Sequence, residues 1–452
     1  MKTLLKRAKG SALDIATSLN DPAGVITLLP PYTQQIRSIV FAFNYWRDIQ
    51  RFSEANPGPL PLLSSLIINV VDEFSLEHPN RMTPPSLPLF TNAVTVKEFI
   101  LHSERFPFLG HFIFPNLTTF ELSATPGLTS EPEYRGLELL DFLEASPKLR
   151  TITMKIIAGT IRLHDLPRER VVVLPNVDAF SLVIDDAGAG YELVARISCP
   201  SVKRTSLVHE RFNNDDVPQV IFPSPPSWNV IGRQYTSSQV NEVALSITSD
   251  NDPILSCSLA FRSPDTTVLG LEFKLLKSDD EDDDQMPHRD MHSTTLSQAL
   301  RSIRDYPLLP HVKSLRIGSI SFINHYEELG AISNVFGTLV KSVGPLDVLS
   351  LFGCDLRVYL APFIHLPEFD NMEQSIVYPS IKELNISHPL WTRNKEECVA
   401  AIVEFAKSQH ARGIPFERLV FCTWKLPIGL AESLVPWVGE VDCYEELGPE
   451  DI

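Results

Sequence analysis

The chain has 452 residues, of which 44% are hydrophobic and 21% are charged, a composition typical of a globular protein with a large core. Its formal net charge is −17, and because an acidic surface repels phosphates we expect no nucleic-acid partner. The sequence has no run of about 18 apolar residues and no secretory signal pattern, so we expect no membrane span and a cytoplasmic or nuclear protein.

A short apolar phrase recurs along the chain and is its strongest pattern. In SPKLRTITMKI, from Ser146 to Ile156, Leu149, Ile152 and Met154 follow the order apolar, two residues, apolar, one residue, apolar. In the best copies a proline lies two residues before the first apolar position. The copies begin at residues 36, 63, 96, 117, 149, 177, 202, 240, 268, 312, 346, 381 and 416. Their mean spacing, about 32 residues, is typical of stacked repeats.

Each copy predicts a short strand, because its last two apolar positions are two residues apart and point to one face. The proline disfavours a continuing helix, so each repeat is interpreted as helix, stop, turn and strand. Helices are predicted in the segments before Pro147, Pro310, Pro345 and Pro415. These repeats predict an α/β fold: a curved leucine-rich-repeat solenoid with parallel strands, and with helices on its convex side.

The predicted domains, in chain order, are an N-terminal helix and lead-in at 1–35, an irregular repeat array at 36–443, and an acidic tail at 444–452. A Pro- and Ser-rich loop at 209–239 interrupts the array, as does an acidic insertion at 277–293 that we expect to be disordered. Val438, Val441 and Cys443 predict a final half-strand that caps the stack.

Patterns for catalysis are weak, so we predict no catalytic residue, cofactor or metal site. The triplet from His288 to Asp290 resembles a kinase catalytic loop but lacks the following Asn and the other kinase motifs. His288 and His292 could chelate a metal on a helix, but a solvated acidic loop is the better interpretation. Ser278 precedes an acidic run and is either a kinase substrate or an unmodified serine. The six cysteines are irregularly spaced and are interpreted as reduced, mostly buried thiols.

The residue between the last two apolar positions of each copy is predicted to face the concave surface. In chain order these are Val40, Ile67, Ile100, Glu121, Thr153, Ser181, Ser206, Ala244, Glu272, Arg316, Ser350, Asn385 and Val420. The first three are apolar, which suggests that a neighbouring element or a further domain covers them. Glu272, Lys274, Arg316 and Asn385 are the candidate partner-binding residues, because they offer charge and bidentate hydrogen bonding. The alternative is an ordinary solvated sheet face.

Three segments carry a resemblance to a known family: LKRAKGSALDIATS, LLPPYTQQIRSIVF and the repeat type LLDFLEASPKLRTITM. Together they resemble F-box proteins with leucine-rich repeats, in the divergent form abundant in mushroom-forming fungi. In that family a helical F-box precedes a helix ending in a phrase like SALDI, whereas no F-box is found in residues 1–452. The resemblance implies the substrate-recognition part of a truncated F-box subunit of an SCF-type ubiquitin ligase.

Two functions stay open from the sequence alone. The first is this non-enzymatic recognition module, whose partner is an unknown protein substrate and which binds the ligase adaptor only if an F-box lies upstream. The second is a free-standing leucine-rich-repeat scaffold unconnected to ubiquitination. Upstream coding sequence distinguishes them, because an in-frame F-box before Met1 favours the first.

Overall fold

A computed structural model divides the chain into two compact units, residues 1–209 with 224–234, and residues 210–223 with 235–452. The structure describes residues 10–16, 29–43, 46–55, 59–70, 93–103, 109, 112–124, 134–156, 161–162, 170–184, 193, 196–209, 242–249, 254–263, 266–276, 312–319, 340, 343, 345–353, 356–364, 380–387, 395–422 and 426–444. In the three segments between 242 and 276 only the backbone is described. The predicted insertion at 277–293, and the predicted loop beyond His209, lie outside the described residues.

Unit 1 is built around parallel strands. Its strands are β1 (Leu13–Ala16), β2 (Ile36–Phe43), β3 (Ser65–Val70), β4 (Glu98–Ser103), β5 (Thr119–Ala124), β6 (Tyr134–Arg135), β7 (Thr151–Ile156), β8 (Ile161–Arg162), β9 (Val172–Val173), β10 (Ala179–Ile184), β11 (Ile197–Ser198) and β12 (Arg204–His209). Eight of them form one parallel run in the order β1-β2-β3-β4-β5-β7-β10-β12, while β6 pairs with β8 and β9 pairs with β11. A 3-10 helix at Pro30–Gln35 and the helices α1 (Trp46–Ala55) and α2 (Gly136–Glu144) accompany them.

Unit 2 combines an antiparallel hairpin array with a parallel run. Its strands are β13 (Glu242–Ser249), β14 (Ile254–Ser263), β15 (Thr266–Leu276), β16 (Ser314–Ser319), β17 (Leu346–Phe352), β18 (Ile381–Ser387), β19 (Phe416–Cys422) and β20 (Val438–Tyr444). Their order is β15-β14-β13-β16-β17-β18-β19-β20, and from β13 to β16 onward each pairing is parallel. Its helices are α3 (Leu356–Ile364), α4 (Lys395–Ala411) and α5 (Leu430–Leu434).

The predicted strands are confirmed, since all thirteen copies of the apolar phrase lead into or lie within strands. The predicted half-strand at the end of the array is confirmed as β20, and helices are confirmed before Pro147 and Pro415 as α2 and α4. The segments before Pro310 and Pro345 lie largely outside the described residues. At this level the chain is α/β with parallel strands, as predicted.

Two expectations about strand and helix placement are wrong. The copies beginning at 240 and 268 were expected to form neighbouring parallel strands, but β14 lies between them and is antiparallel to both β13 and β15. Residues Leu13–Ala16, expected at the end of an N-terminal helix, form β1 and pair in parallel with β2. In both places the segment is a strand because its backbone hydrogen-bonds to a neighbouring strand. Secondary-structure propensity along the sequence does not predict such pairing.

The buried face of each strand carries the apolar residues of the phrase. Leu149, Ile152 and Met154 are 0–1% exposed, whereas Thr151 and Thr153, which alternate with them on the strand, are half-buried on the opposite face. A phenylalanine cluster fills the core beneath β4 and β5, with the Phe99 ring centroid 4.9 Å from that of Phe112 and 5.1 Å from that of Phe114. The period of two in the sequence therefore separates one dry face from one partly solvated face.

The proline of the phrase occupies a β-turn that delivers the chain into the strand. Backbone N–H groups donate to carbonyl oxygens three residues earlier, at 3.0–3.4 Å, in the turns Leu60–Leu63, Ala93–Val96, Phe114–Leu117, Ser146–Leu149, Leu174–Val177 and Cys199–Val202. Proline is the second residue in five of them: Pro61, Pro115, Pro147, Pro175 and Pro200. Its fixed φ suits that position. The expected helix before the proline is present at Pro147 and Pro415, whereas Pro175 and Pro200 follow the short strands β9 and β11.

The turns are also bonded to one another along the parallel run. The residue after each turn donates its N–H to the equivalent residue of the preceding strand, as in Lys97 to Ser64 at 2.9 Å and Asp178 to Arg150 at 2.8 Å. Side chains at the third turn position add to this, since Asn176 Nδ2 donates to the carbonyl oxygen of Pro147 at 2.9 Å. Turn and strand thus repeat as one hydrogen-bonded element, which fixes the strand register.

Candidate protein-binding face

The candidate site is the strand face opposite the core, which we call the open face. In unit 1 the predicted row of residues lies in direct register from strand to strand. The paired residues are Val40, Ile67, Ile100, Glu121, Thr153, Ser181 and Ser206. All seven are half-buried. Because neighbouring strands lie about 4.8 Å apart, their side chains form one continuous line.

Unit 2 has its own row at the same position of the phrase. There the row runs through Ala244, Arg316, Ser350, Asn385, Val420 and Asp442. Arg316 is exposed and Asn385 is half-buried, two strands apart in this row. Val420 is only 7% exposed, so it contributes packing more than contact surface.

Glu272 and Lys274 do not join this row. Both lie on β15, where Gly270 is in register with Ala260 and, through it, with Ala244. Glu272 is therefore two residues out of register with Arg316 and three strands away, about 16 Å along the sheet. The prediction that Glu272 lies in one row with Arg316 and Asn385 is therefore wrong, because Gly270 takes that position on β15. The side chains of Glu272 and Lys274 lie outside the described part.

Asn385 is held by an acidic neighbour. Its Nδ2 donates to Oε1 of Glu383 at 2.9 Å, while its Oδ1 is shielded from solvent and has no hydrogen-bond partner among the described residues. Glu383 precedes it by two residues on β18 and thus shares the open face. The amide is oriented by a carboxylate, so its free acceptor is fixed in place.

Arg418 centres a charged cluster that sequence reasoning missed. Its Nε donates to Asp442 at 2.6 Å, its Nη2 donates to the Tyr444 hydroxyl at 3.1 Å, and Glu383 and Glu440 lie 3.8 and 3.9 Å from the guanidinium. The hydrogen bond that Arg418 donates to Asp442 raises the pKa of Arg418; partial desolvation opposes this rise, and the nearby negative charges add to it. One cation faces three carboxylates, so the part of unit 2's open face around Arg418 is acidic.

A signal for this cluster exists in the sequence. Arg418 and Glu383 stand two residues before Val420 and Asn385, and strand periodicity places such residues on the same face. Reading a single residue per repeat left this second row out. The same omission hid His102, which stands two residues after Ile100.

The open face of unit 1 carries two further polar contacts. The Ser65 hydroxyl donates to Oε2 of Glu98 at 2.6 Å, across β3 and β4. Nε2 of His102 lies 3.2 Å from Oε1 of Glu121, across β4 and β5. These residues surround Ile100, so this part of the face mixes aliphatic and acidic side chains.

The open face carries side chains that can contact a protein partner. Carboxylates, amides, hydroxyls and aliphatic groups can hold a polypeptide by hydrogen bonds, ion pairs and apolar packing. Among the described residues no group of three His, Cys, Asp or Glu side chains could hold a metal ion. The predicted pair His288 and His292 lies outside those residues.

Comparisons with known proteins add no family assignment. No protein-family model matches the chain. The curated proteins likewise contain no match to it. Among the described residues, no helix has the length and apolar character needed to cross a membrane.

Proposed function

We propose that the chain is a non-enzymatic protein-interaction module, built as a leucine-rich-repeat solenoid whose concave side is the open face. The observation that carries the proposal is the row of open-face positions, in register over seven neighbouring strands of unit 1. Repeats with one register give each side chain a neighbour at a fixed spacing. A long, regular surface of this kind suits an extended protein partner.

Within that proposal, the resemblance to F-box proteins makes the chain the substrate-recognition part of a truncated F-box subunit of an SCF-type ubiquitin ligase. The partner on the open face is then a protein substrate, and the ligase adaptor binds only through an F-box lying upstream. The recurring turn and strand support the repeat part of this resemblance. None of the described residues provides evidence for binding of the ligase adaptor.

The second candidate is a free-standing leucine-rich-repeat scaffold. The strand at Leu13–Ala16 favours it, because the F-box resemblance implies a helix there. An adaptor pull-down separates the two candidates. Recovery of the adaptor by a version extended with its upstream coding sequence, and not by residues 1–452, supports the ligase subunit; no recovery by either supports the scaffold.

The test of the interaction face starts from partners identified by proximity labelling of the full chain. Affinity for the strongest partner is then measured for two variants, Ile67→Asp with Ile100→Asp in unit 1, and Arg316→Ala with Asn385→Ala in unit 2. The control is Glu404→Ala, an exposed change on α4. We expect at least one face variant to weaken binding about tenfold or more while circular dichroism stays unchanged. Full affinity in both folded face variants would remove the site from the open face.

A further inference from the structure

The most distinctive part of the open face surrounds Ile100. Ile67 is its direct partner on β3 and Glu121 its direct partner on β5. Glu98 and His102 lie two residues before and after it on β4, on the same face. Ile100 therefore has a carboxylate beside it on its own strand, Glu98, and another on the next strand, Glu121. We call Ile67, Ile100, Glu98 and Glu121 the Ile100 patch.

Neither carboxylate of the patch pairs with a lysine or an arginine of the described residues. Glu98 accepts from the neutral hydroxyl of Ser65 at 2.6 Å. Glu121 faces the imidazole of His102, which is a charged partner only when protonated. Both acids are part-exposed, so a partner can reach each carboxyl group.

Three acids at the beginnings of strands differ from these two in having a cationic partner. Each pairs with a cation on the next strand: Asp14 with Arg37, Asp178 with Lys203 at 3.0 Å, and Asp347 with Lys382 at 2.7 Å. These cations lower the pKa of each of the three carboxyl groups, mainly by hydrogen bonding. The two acids of the Ile100 patch differ from these three, since within the described part of the chain Glu98 faces a hydroxyl and Glu121 faces an imidazole.

Resting on the proposed function, we propose that the Ile100 patch binds an extended segment of a partner protein in which an aliphatic residue and a lysine or arginine stand two positions apart. Side chains two residues apart in an extended segment project to one face about 6.6–7 Å from each other. That is the spacing of Ile100 and Glu98 along β4. An aliphatic side chain then packs on Ile67 and Ile100 while the cation pairs with Glu98 or Glu121. The net charge of −17 attracts a basic segment.

The test uses a displayed library of random twelve-residue peptides, selected on the full-length chain. We expect the selected peptides to carry an aliphatic residue two positions from Lys or Arg. Their binding should weaken at least tenfold in Ile100→Asp and stay within about twofold in Ile113→Asp. Ile113 is the matched control because it is 48% exposed and lies outside the open-face row. Circular dichroism and thermal unfolding verify that each variant is folded.

The double variant Glu98→Gln with Glu121→Gln tests the charge separately and keeps the side-chain shapes. We expect it to weaken the selected basic peptides about tenfold at low salt, and to leave matched peptides with Gln in place of Lys or Arg unchanged. This arm also decides the matter if Ile100→Asp does not fold.

Several results overturn the proposal. Selection of acidic peptides would contradict the proposal. So would peptides that bind the Ile100→Asp variant and the Glu98→Gln, Glu121→Gln variant with unchanged affinity, because their binding site would then lie outside the patch. The proposal is also refuted if no peptide is selected. Binding that appears only after removal of residues 1–9 would assign the patch to the chain's own basic segment MKTLLKRAK. The proposed function survives any of these results if the labelled partner still binds the Arg316→Ala, Asn385→Ala variant of unit 2 more weakly than wild type. It fails only if neither this variant nor the Ile67→Asp, Ile100→Asp variant of unit 1 loses affinity for that partner.

Discussion

At the scale of single residues, Gly439 shows how closely the last strands of unit 2 approach. A Cβ at this position would lie 2.7 Å from the carbonyl oxygen of Glu417, nearer than real Cβ atoms come. The obstacle is backbone on the paired strand β19, so it cannot rotate away. We expect Gly439→Ala to lower the free energy of unfolding by about 1–3 kcal/mol in urea denaturation. Glu404→Ala is the exposed control, and equal stability of both variants would contradict the close approach.

Cys199 gives the molecule a pH-dependent term in the alkaline range. Burial raises the pKa of its thiol to about 12 from the ordinary value of 9.0. Between these values the unfolded thiol has lost its proton while the folded one keeps it, so the free energy of unfolding falls as pH rises, and below pH 9 the term is constant. We expect wild type to lose up to about 1.4 kcal/mol per pH unit relative to Cys199→Ala in this window.

Urea denaturation of both proteins between about pH 8 and about pH 11 measures that difference. Other titrating groups cancel because the two chains share them. Parallel stability profiles would show that the thiol titrates alike in both states. Of the cysteines whose side chains are described, Cys199, Cys398, Cys422 and Cys443 are free, as the spacing predicts; Cys199 and Cys398 are buried, while Cys443 is exposed.

At the scale of elements, the proline β-turn recurs immediately before the strands of the parallel run. At Pro175 the φ of the turn is fixed before folding, which limits the freedom of the unfolded chain. We expect Pro175→Ala to lower the free energy of unfolding by about 0.4–1 kcal/mol. Asn176→Ala removes the hydrogen bond from Asn176 to the carbonyl oxygen of Pro147. Added to Pro175→Ala, it should lower the free energy of unfolding by about 1 kcal/mol more. Thermal unfolding of the two single variants and the double variant tests this, and no loss in any of them would contradict it.

The sequence predicts strands and register well because one slip by a residue would turn every apolar side chain outward. Ile152 and Met154 can be buried together in only one register, and the same holds for each copy of the phrase. Strand direction has no such penalty, since a period of two looks alike from both ends. The antiparallel β14 was therefore missed, although Leu255, Cys257, Leu259 and Phe261 alternate with small and polar residues.

The candidate site was predictable only in part for a related reason. Periodicity assigns a face to each side chain, so the row through Arg316 and Asn385 follows from the sequence. Which strands are neighbours depends on pairing, and the inserted β14 displaced Glu272 from that row. Contacts such as Arg418 with Asp442 depend on the register between β19 and β20, which the sequence of either strand alone does not determine.

At the scale of the whole molecule, much of the negative charge lies in an acidic run outside the described residues. The formal net charge of −17 includes the acidic run within residues 278–292, which contain seven acids and one arginine, so their removal leaves −11. Like charges in one chain oppose a compact state, and a run of acids has no apolar surface to bury. The predicted insertion at 277–293 stays a prediction from sequence.

We expect deletion of residues 278–292 to change the melting temperature by no more than about 2 °C, because the loss of repulsion is screened at physiological salt. The matched control is deletion of residues 254–263, which removes the whole of β14 and leaves β13 and β15 without the strand that pairs with each of them. That deletion should lower the melting temperature by many degrees, since a row of backbone groups loses its partners. Differential scanning calorimetry of the two deletions and wild type compares them directly. A fall of many degrees on removing the acidic run would mean that it packs against the fold, and equal effects of both deletions would deny β14 its place in unit 2.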